Sequence, residues 1–502
     1  MDKAPLFLTA AFAIAVSVFG SFGCSSSDDS KTDDDAFAYG PRDPVARELP
    51  AELRGATWLA HLEDDLLPYW THPDALGEPE GNFPTERYMD GTSAPNHARR
   101  PRMLGRQTYV YAMAYALSGE PRLLELADAG FRYLLDAVRA PDGSWPEQIS
   151  SGGTPISRGV KSAQDTAYAT MGLAAYYFVT RSAEAETAIL ATRDLLFDPD
   201  RYFDSERRRI HDAMSNDLSE PRDMFNAQGS ELVAQLDPIN AFMLLVQPTL
   251  SDADRRQQFL DDMTTLATAM REQFWQDGIY WGVDNQKGSY GARHVDFGHT
   301  LKAYWMTLQI DKRLAATPFR RLLDDHIHTW VDRAYDDAGR WKRRMLGPDR
   351  DEAGSDWWIY AEADQLAATL SLIDDRYLSR LEQTTGHWMS DYVAPEYSEV
   401  IPSINPDGSP SSDWPVTDTA KCNVWKNGYH STEHAMVLYL VGQALAGEEA
   451  RLYFAVEADA AEDFVARPYF FEGREVARIP GDTRRVGTRE LTQVEVRFRD
   501  IF

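Results

Sequence analysis

Arg106, Asp165, Asp237, His299, Glu362 and His430 recur at roughly 60–70-residue intervals, about one helical hairpin each. Each stands near the start of every second helical segment read from the apolar pattern. If alternate helices form an inner ring and run the same way, these side chains gather at one end of it. Two imidazoles, three carboxylates, a guanidinium and neighbouring aromatics would then line one concave mouth. That mix suits a polyhydroxylated ligand, with titratable groups at hand for acid–base work. His434 follows His430 by one helical turn and shares its face. Trp357 and Trp358 offer flat surfaces to a sugar, but adjacent helical residues point to different faces, so one of them is expected in the core.

The elements that position these residues are helices. From about Leu53 to Leu445 apolar residues recur at the helical period, broken by Gly, Pro and Asp clusters. Segments begin near Leu53, Arg102, Pro121, Ala163, Ala183, Glu231, Asp252, Phe297, Pro318, Trp358, Asp375 and Tyr429. Pro121 opens one of them in the first turn, Thr317-Pro318 repeats that logic with Thr as cap, and Ser251-Asp252 caps another. Arg102–Leu117 and Pro121–Val138 read as a tight helical hairpin, and similar pairs follow. Six hairpins in series predict an all-α (α/α)6 barrel over residues 51–446, with an open solenoid as the structural alternative. His326 and His328 fall on an outer helix, and strand signal is confined to short pieces such as Gly278–Gly282. Residues 447–502 change character. Leu452–Val456 and Val494–Phe498 read as strands, and Tyr469–Val476 as a hairpin turning at Glu472-Gly473, a small β appendage.

A formal charge of -28 repels phosphate backbones and argues against nucleic acid as a partner, while 43% hydrophobic residues mark a globular chain. Residues 1–24 carry Lys3, an apolar run from Leu6 to Phe19 and small residues leading to Cys24. This predicts a signal peptide with a lipoprotein-like cleavage site, lipidation at Cys24 and a polar tether over residues 25–50. The expected location is exported and lipid-anchored, at an outer membrane. Cleavage by an ordinary signal peptidase, releasing a soluble protein, is the alternative. Cys422 would remain the only other cysteine, which leaves no intramolecular disulfide. The sequence has no cluster at metal-ligand spacing and no glycine-rich nucleotide fingerprint, so neither metal nor cofactor is expected.

Four motifs in order carry a resemblance: Gly105-Arg106-Gln107-Thr108-Tyr109, Phe297-Gly298-His299-Thr300, Trp357-Trp358-Ile359-Tyr360-Ala361-Glu362 and Trp425-Lys426-Asn427-Gly428-Tyr429-His430. Over about Arg102 to Ala446 the chain resembles the N-acylglucosamine 2-epimerase superfamily, which includes cellobiose 2-epimerases and mannose or sulfoquinovose isomerases. The resemblance implies proton transfer at the carbon beside a sugar carbonyl through an enediolate. It assigns His299 and His430 as acid and base, Arg106 to the open-chain oxygen, and Glu362 to hydroxyl binding and histidine orientation. Asp165, Asp237, Trp357, Trp358, Lys302, Glu433 and His434 complete the candidate sugar-binding set, for a mono- or oligosaccharide.

The chain departs from that pattern in places. Asp237 and Asn240 stand where the family shows His and Glu, Lys302 where it shows Glu, and Glu433 where it often shows Arg. Lys302 and Glu433 are opposite in sign and read as a swapped ion pair, if their helices are ring neighbours. Two other readings stay open. One is a glycoside hydrolase using two of Asp237, Glu362, Glu399 and Glu433, since that chemistry needs paired carboxyls. The other is a sugar-binding lipoprotein without catalysis.

Overall fold

A computed structural model describes residues 47–93, 97–157, 159–222, 229–394, 396–411 and 420–502. The expected signal segment, Cys24 and most of the tether lie outside the described residues. Arg47–Pro50, assigned to the tether by sequence, already belong to the folded body. The Arg47 backbone N–H donates to Leu445 O at 3.1 Å, and Leu49 is buried.

Thirteen α-helices form among the described residues. Gly55–Ala60 (α1) and Leu67–Trp70 (α2) are joined by a π-helical turn. Then come Pro101–Ser118 (α3), Pro121–Tyr133 (α4), Ala163–Thr180 (α5), Ala183–Leu196 (α6), Ile239–Val246 (α7) and Ala253–Ala269 (α8). Phe297–Asp311 (α9), Arg320–Ala334 (α10), Trp357–Ser371 (α11), Leu378–His387 (α12) and Tyr429–Ala446 (α13) complete them. Helices α3, α5, α7, α9, α11 and α13 pack each on the next, and α13 closes onto α3. The even-numbered helices α4 to α12 lie outside their partners, and α1 covers α13. The barrel is therefore the expected (α/α)6 toroid, with one difference. Its sixth hairpin is not continuous in sequence, because α1 pairs with α13. No helix among the described residues is long and apolar enough to cross a membrane.

Composition separates the two rings. In α5 every residue but Gln164 is buried, because this helix touches neighbours on all sides. In α10 burial is confined to Leu323, Ile327, Trp330, Val331 and Ala334, one stripe at the helical period. The inner helices α3 and α5 come into backbone contact through two glycines. A β-carbon on Gly105 would lie 2.3 Å from Tyr168 O, and one on Gly172 would lie 2.6 Å from Gly105 O.

The helix-start signals hold at α4, which opens with Pro121 in its first turn, and at α8, where the Asp252 carboxylate accepts two N–H groups. Two starts differ from expectation. Near Glu231 only the 3-10 turn Leu232–Ala234 forms, and the helix begins at Ile239. Thr317-Pro318 does not cap α10: the Asp311 carboxylate accepts Phe319 N–H at 2.9 Å, so the preceding helix supplies the cap.

The C-terminal residues close one end of the barrel. Strands Ala450–Val456 and Arg474–Val486 flank a central strand Arg489–Arg499, all antiparallel. The hairpin turns at Gly487, which has φ +57°, and not at Glu472-Gly473. This sheet lies under the C-terminal ends of α3 and α5. Tyr115 donates to Phe454 O at 3.1 Å, Gln493 donates to Gly119 O at 2.6 Å, and Phe178 packs on Phe454. It is a floor for the toroid.

Candidate active site

The N-terminal ends of the inner helices surround a cavity of about 200 Å³. Arg106 enters from α3, Tyr168 from α5, Asp237 from the residues before α7, His299 and Lys302 from α9, Trp357 and Trp358 from α11, and His430 from α13. Both imidazoles approach one indole: His299 lies 4.7 Å from the Trp358 ring and His430 6.2 Å from it. Gly298 makes this possible, because a β-carbon there would fall 2.5 Å from the same indole.

The hydrogen bonds fix each imidazole's tautomer. Asp296 caps α9 by accepting the His299 backbone N–H at 2.8 Å, and its other oxygen lies 2.7 Å from His299 Nδ1. The carboxylate holds the proton on Nδ1 and leaves Nε2 as the basic nitrogen. Burial works against the Asp296 charge, but His299 and its N–H hold the carboxyl below the usual aspartate range. His430 is bonded on both sides. Arg106 Nη2 donates to its Nε2 at 2.7 Å, since a guanidinium has only donors, so Nδ1–H faces Glu362 Oε1 at 3.0 Å. Burial, with the Arg106 and Lys302 cations beside it, pushes the His430 pKa well below the ordinary imidazole value. The ring is neutral, and its basic nitrogen is masked until a ligand takes the arginine's hydrogen bond.

Beneath the cavity lies a buried charge cluster. Lys302 Nζ bonds Glu362 Oε1, and lies 3.6 Å from Asp237 and 3.7 Å from Glu433. Tyr168 donates to Asp237 at 2.9 Å, and Tyr469 to Glu433 at 2.6 Å. Burial opposes the ammonium, but Asp237, Glu362 and Glu433 together hold the Lys302 pKa above its usual value. Three carboxyls sharing one cation cannot all ionise cheaply. Burial raises Glu362 to about 7 and Glu433 to about 8. Ligand atoms of Glu362, His430 and Glu433 come within 4.8 Å of one another, a spacing a metal ion could use. Here the Lys302 ammonium already neutralises that group.

A second lobe of about 270 Å³ adjoins the first, sharing Arg102, Gln164, His294 and Trp425 as walls. Its charges are paired: Arg102 with Asp165 at 2.8 Å, Arg293 with Glu231 at 2.8 Å, and Arg100 with Glu147 at 3.5 Å. Trp425 stands over it, 46% exposed, and its carbonyl accepts from Arg106 at 2.7 Å.

Of the residues expected at the mouth, Arg106, Asp237, His299, Lys302, Trp357, Trp358 and His430 line the inner cavity together. Both tryptophans do so, although Trp357 is otherwise buried. Asp165 belongs to the outer lobe. Glu362 and Glu433 are fully buried below the cavity and do not line it. Lys302 and Glu433 do approach, but α11 separates their helices in the ring, and the closer partner of Lys302 is Glu362. His434 is a core residue: its ring packs on Trp58 and Trp388, and Nε2 lies 3.0 Å from Asp364. Glu399 is also remote from the cavity, bonded to Trp70 and Lys426. Sequence reasoning passed over Tyr168, His294, Asp296 and Tyr469. Asp296 was findable, as a carboxylate three residues before His299 at a helix start. Tyr469 carries no local signal.

The fold and site define an (α/α)6 barrel whose mouth holds two tautomer-fixed imidazoles beside a guanidinium and an ammonium. Residues 83–419 match the N-acylglucosamine 2-epimerase (GlcNAc 2-epimerase) family, and the chain belongs to that family of sugar epimerases and isomerases. Its fold is similar to that of cellobiose 2-epimerase from Spirochaeta thermophila DSM 6192, with TM-score 0.66 and 22% identity over 78% of this chain and 99% of that one. Cellobiose 2-epimerase from Bacillus thermoamylovorans B4167 gives 0.66 and 16% over the same shares. A D-mannose isomerase gives 0.64 and 18%, again over 78% and 99%. No curated protein sequence matches the chain.

Proposed function

We propose that the protein is a carbohydrate 2-epimerase or aldose–ketose isomerase acting on a reducing mono- or oligosaccharide. The observation that carries this reading is the pair of imidazoles beside the same Trp358 ring in one cavity. In the open-chain sugar, the Nε2 of one imidazole removes the proton on the carbon beside the carbonyl. The C–H electron pair forms the enediolate double bond, and the carbonyl oxygen takes the negative charge. Arg106 and Lys302 stabilise that oxygen, a role supported by their lining the same cavity as the imidazoles. Inversion starts from a form in which the other imidazole carries a proton on Nε2 and delivers it to the opposite face; return by the same imidazole to the neighbouring carbon, with the hydroxyl proton passing from O2 to O1, isomerises the sugar.

The outer lobe gives room for a second sugar ring beside Trp425, which supports an oligosaccharide substrate. Glycosidic cleavage has less support, because of Asp237, Glu362, Glu399 and Glu433 only Asp237 lines the cavity. Residues 1–24 support an exported, lipid-anchored protein carried on Cys24.

The test is incubation of reducing mono- and disaccharides in heavy water. Deuterium should enter at the second carbon, and the rate should fall by at least about a hundredfold in His299→Ala and in His430→Ala. Exchange that persists in both variants, or no exchange with any sugar, rejects the assignment.

A further inference from the structure

The family match ends at residue 419, yet the chain drives a later segment back under the catalytic cluster. Between the strands Ala450–Val456 and Arg474–Val486, Tyr469 is buried at φ +59°, a left-handed conformation that disfavours a side chain. Its ring stacks on Phe470 at 4.0 Å and meets the edge of Phe178 of α5, and Phe470 packs on Trp305 of α9. The Tyr469 hydroxyl donates to Glu433 Oε1 at 2.6 Å, so the 2.9 Å bond with Tyr109 of α3 is donated by Tyr109. Glu433 needs that donor, because it is fully buried and its nearest cation is 3.7 Å away. A continuous series of contacts then runs from Tyr469 through Glu433, Lys302 and Glu362 to His430 Nδ1.

We propose that Tyr469 is a positioning residue of the proton-transfer centre, which makes the C-terminal extension part of that centre. Its hydroxyl orients the Glu433 carboxyl beside Lys302, and Lys302 holds the Glu362 oxygen that keeps the His430 proton on Nδ1. The proposal rests on the role given above to His430. Lys302 and Glu433 are charges of this chain's own pattern, and the tail supplies the hydroxyl that the buried Glu433 requires.

The charged and titratable groups facing Glu433 are Lys302 from α9, Glu362 from α11, Asp237 before α7, Tyr109 from α3, Tyr429 from α13 and Tyr469. Those facing His430 are Arg106, Lys302, Asp237, His299, Glu362, Tyr429 and, within 4.8 Å, Glu433. Burial raises Glu433 to about 8, and the Tyr469 bond works against that rise by favouring the charged carboxylate. Removing the hydroxyl therefore raises it further.

Two readouts test the link in the full chain. With carbon-labelled histidine, the His430 resonance should show an inflection near pH 8, which Tyr469→Phe moves upward by about one unit and Glu433→Gln abolishes. In the heavy-water exchange assay, Tyr469→Phe should lower kcat about tenfold or more, leave KM within about twofold, and displace the same inflection in the pH profile. A merely structural hydroxyl would scale the rate equally at every pH. A Tyr469→Phe protein whose His430 titration and pH profile superimpose on those of wild type overturns the proposal. So does an inflection near pH 8 that survives in Glu433→Gln, the variant that carries the test if Tyr469→Phe misfolds. If wild type exchanges no sugar proton but the His430 inflection still moves, the epimerase reading fails and the link from tail to imidazole stands.

Discussion

The Nδ1–H of His299 is committed to Asp296, which leaves Nε2 as the basic nitrogen of a ring that lines the cavity. An asparagine at 296 offers the imidazole either an oxygen or an NH2 group, so it no longer enforces one tautomer. Asp296→Asn should lower kcat by about a hundredfold or more, while KM changes by less than about threefold; equal loss in both would mean that Asp296 only shapes the cavity. The buried carboxyls make a second statement at this scale, about stability. Burial raises Glu362 to about 7 and Glu433 to about 8, well above the range of an exposed glutamate. The folded protein thus retains protons that the unfolded chain has released, and this contribution to stability is lost as pH rises through those values. Glutamine at 433 cannot ionise. Between about pH 7 and 9 the Tm of wild type should fall more steeply than that of Glu433→Gln, and parallel curves would show that Glu433 does not titrate there.

The inner ring is set by how closely its helices approach, and Gly105 with Gly172 is the tightest crossing described for α3 and α5. Gly105→Ala forces a methyl against the backbone at Tyr168 and Ala169, which no side-chain rotation relieves. It should cost about 1–3 kcal/mol in denaturant unfolding and raise KM, because Arg106 and Tyr168 sit on the two helices pushed apart. An unchanged KM with full loss of stability would separate packing from site geometry. Elements of this kind were largely legible in the sequence. Apolar periodicity located α3, α4, α5, α9, α11 and α13 because inner and outer helices keep the 3.6-residue repeat, and residues with helix-start chemistry marked α4 and α8. Ring closure was not legible, since nothing local tells α1 that its partner lies some four hundred residues later. The failed cap at Thr317-Pro318 has the same origin: Asp311, a tertiary neighbour, took over the work. In the site, helical spacing told which face a residue shares but not its depth. Glu362, Glu433 and His434 were therefore placed correctly around the ring and too close to the mouth. Tyr469 lay beyond any periodic argument, because a tail that folds back under a barrel is fixed by packing alone.

At the level of the whole molecule, the formal charge of -28 acts on stability and on substrate choice through different distances. Excess acid on the surface repels itself, and salt screens that repulsion within about 10 Å at 0.1 M. The Tm at pH 7 should therefore rise as salt increases from about 10 to 300 mM, and the rise should shrink near the pI of about 4.8, where the repulsion vanishes. The buried charge cluster beneath the cavity is sealed from that field. Lys302, Glu362 and Glu433 are buried, and the arginines of the outer lobe are paired with Asp165, Glu231 and Glu147. A neutral saccharide carries no charge for the surface to steer, so kcat/KM for its exchange should vary by less than about twofold across the same salt range. An anionic sugar would have to approach against a strongly negative chain, and added salt would raise its kcat/KM several-fold. Measuring both salt series on one preparation separates the two classes of substrate. A salt-independent rate beside a salt-dependent Tm fits an uncharged sugar at the mouth, and a steep rise in rate would overturn that choice.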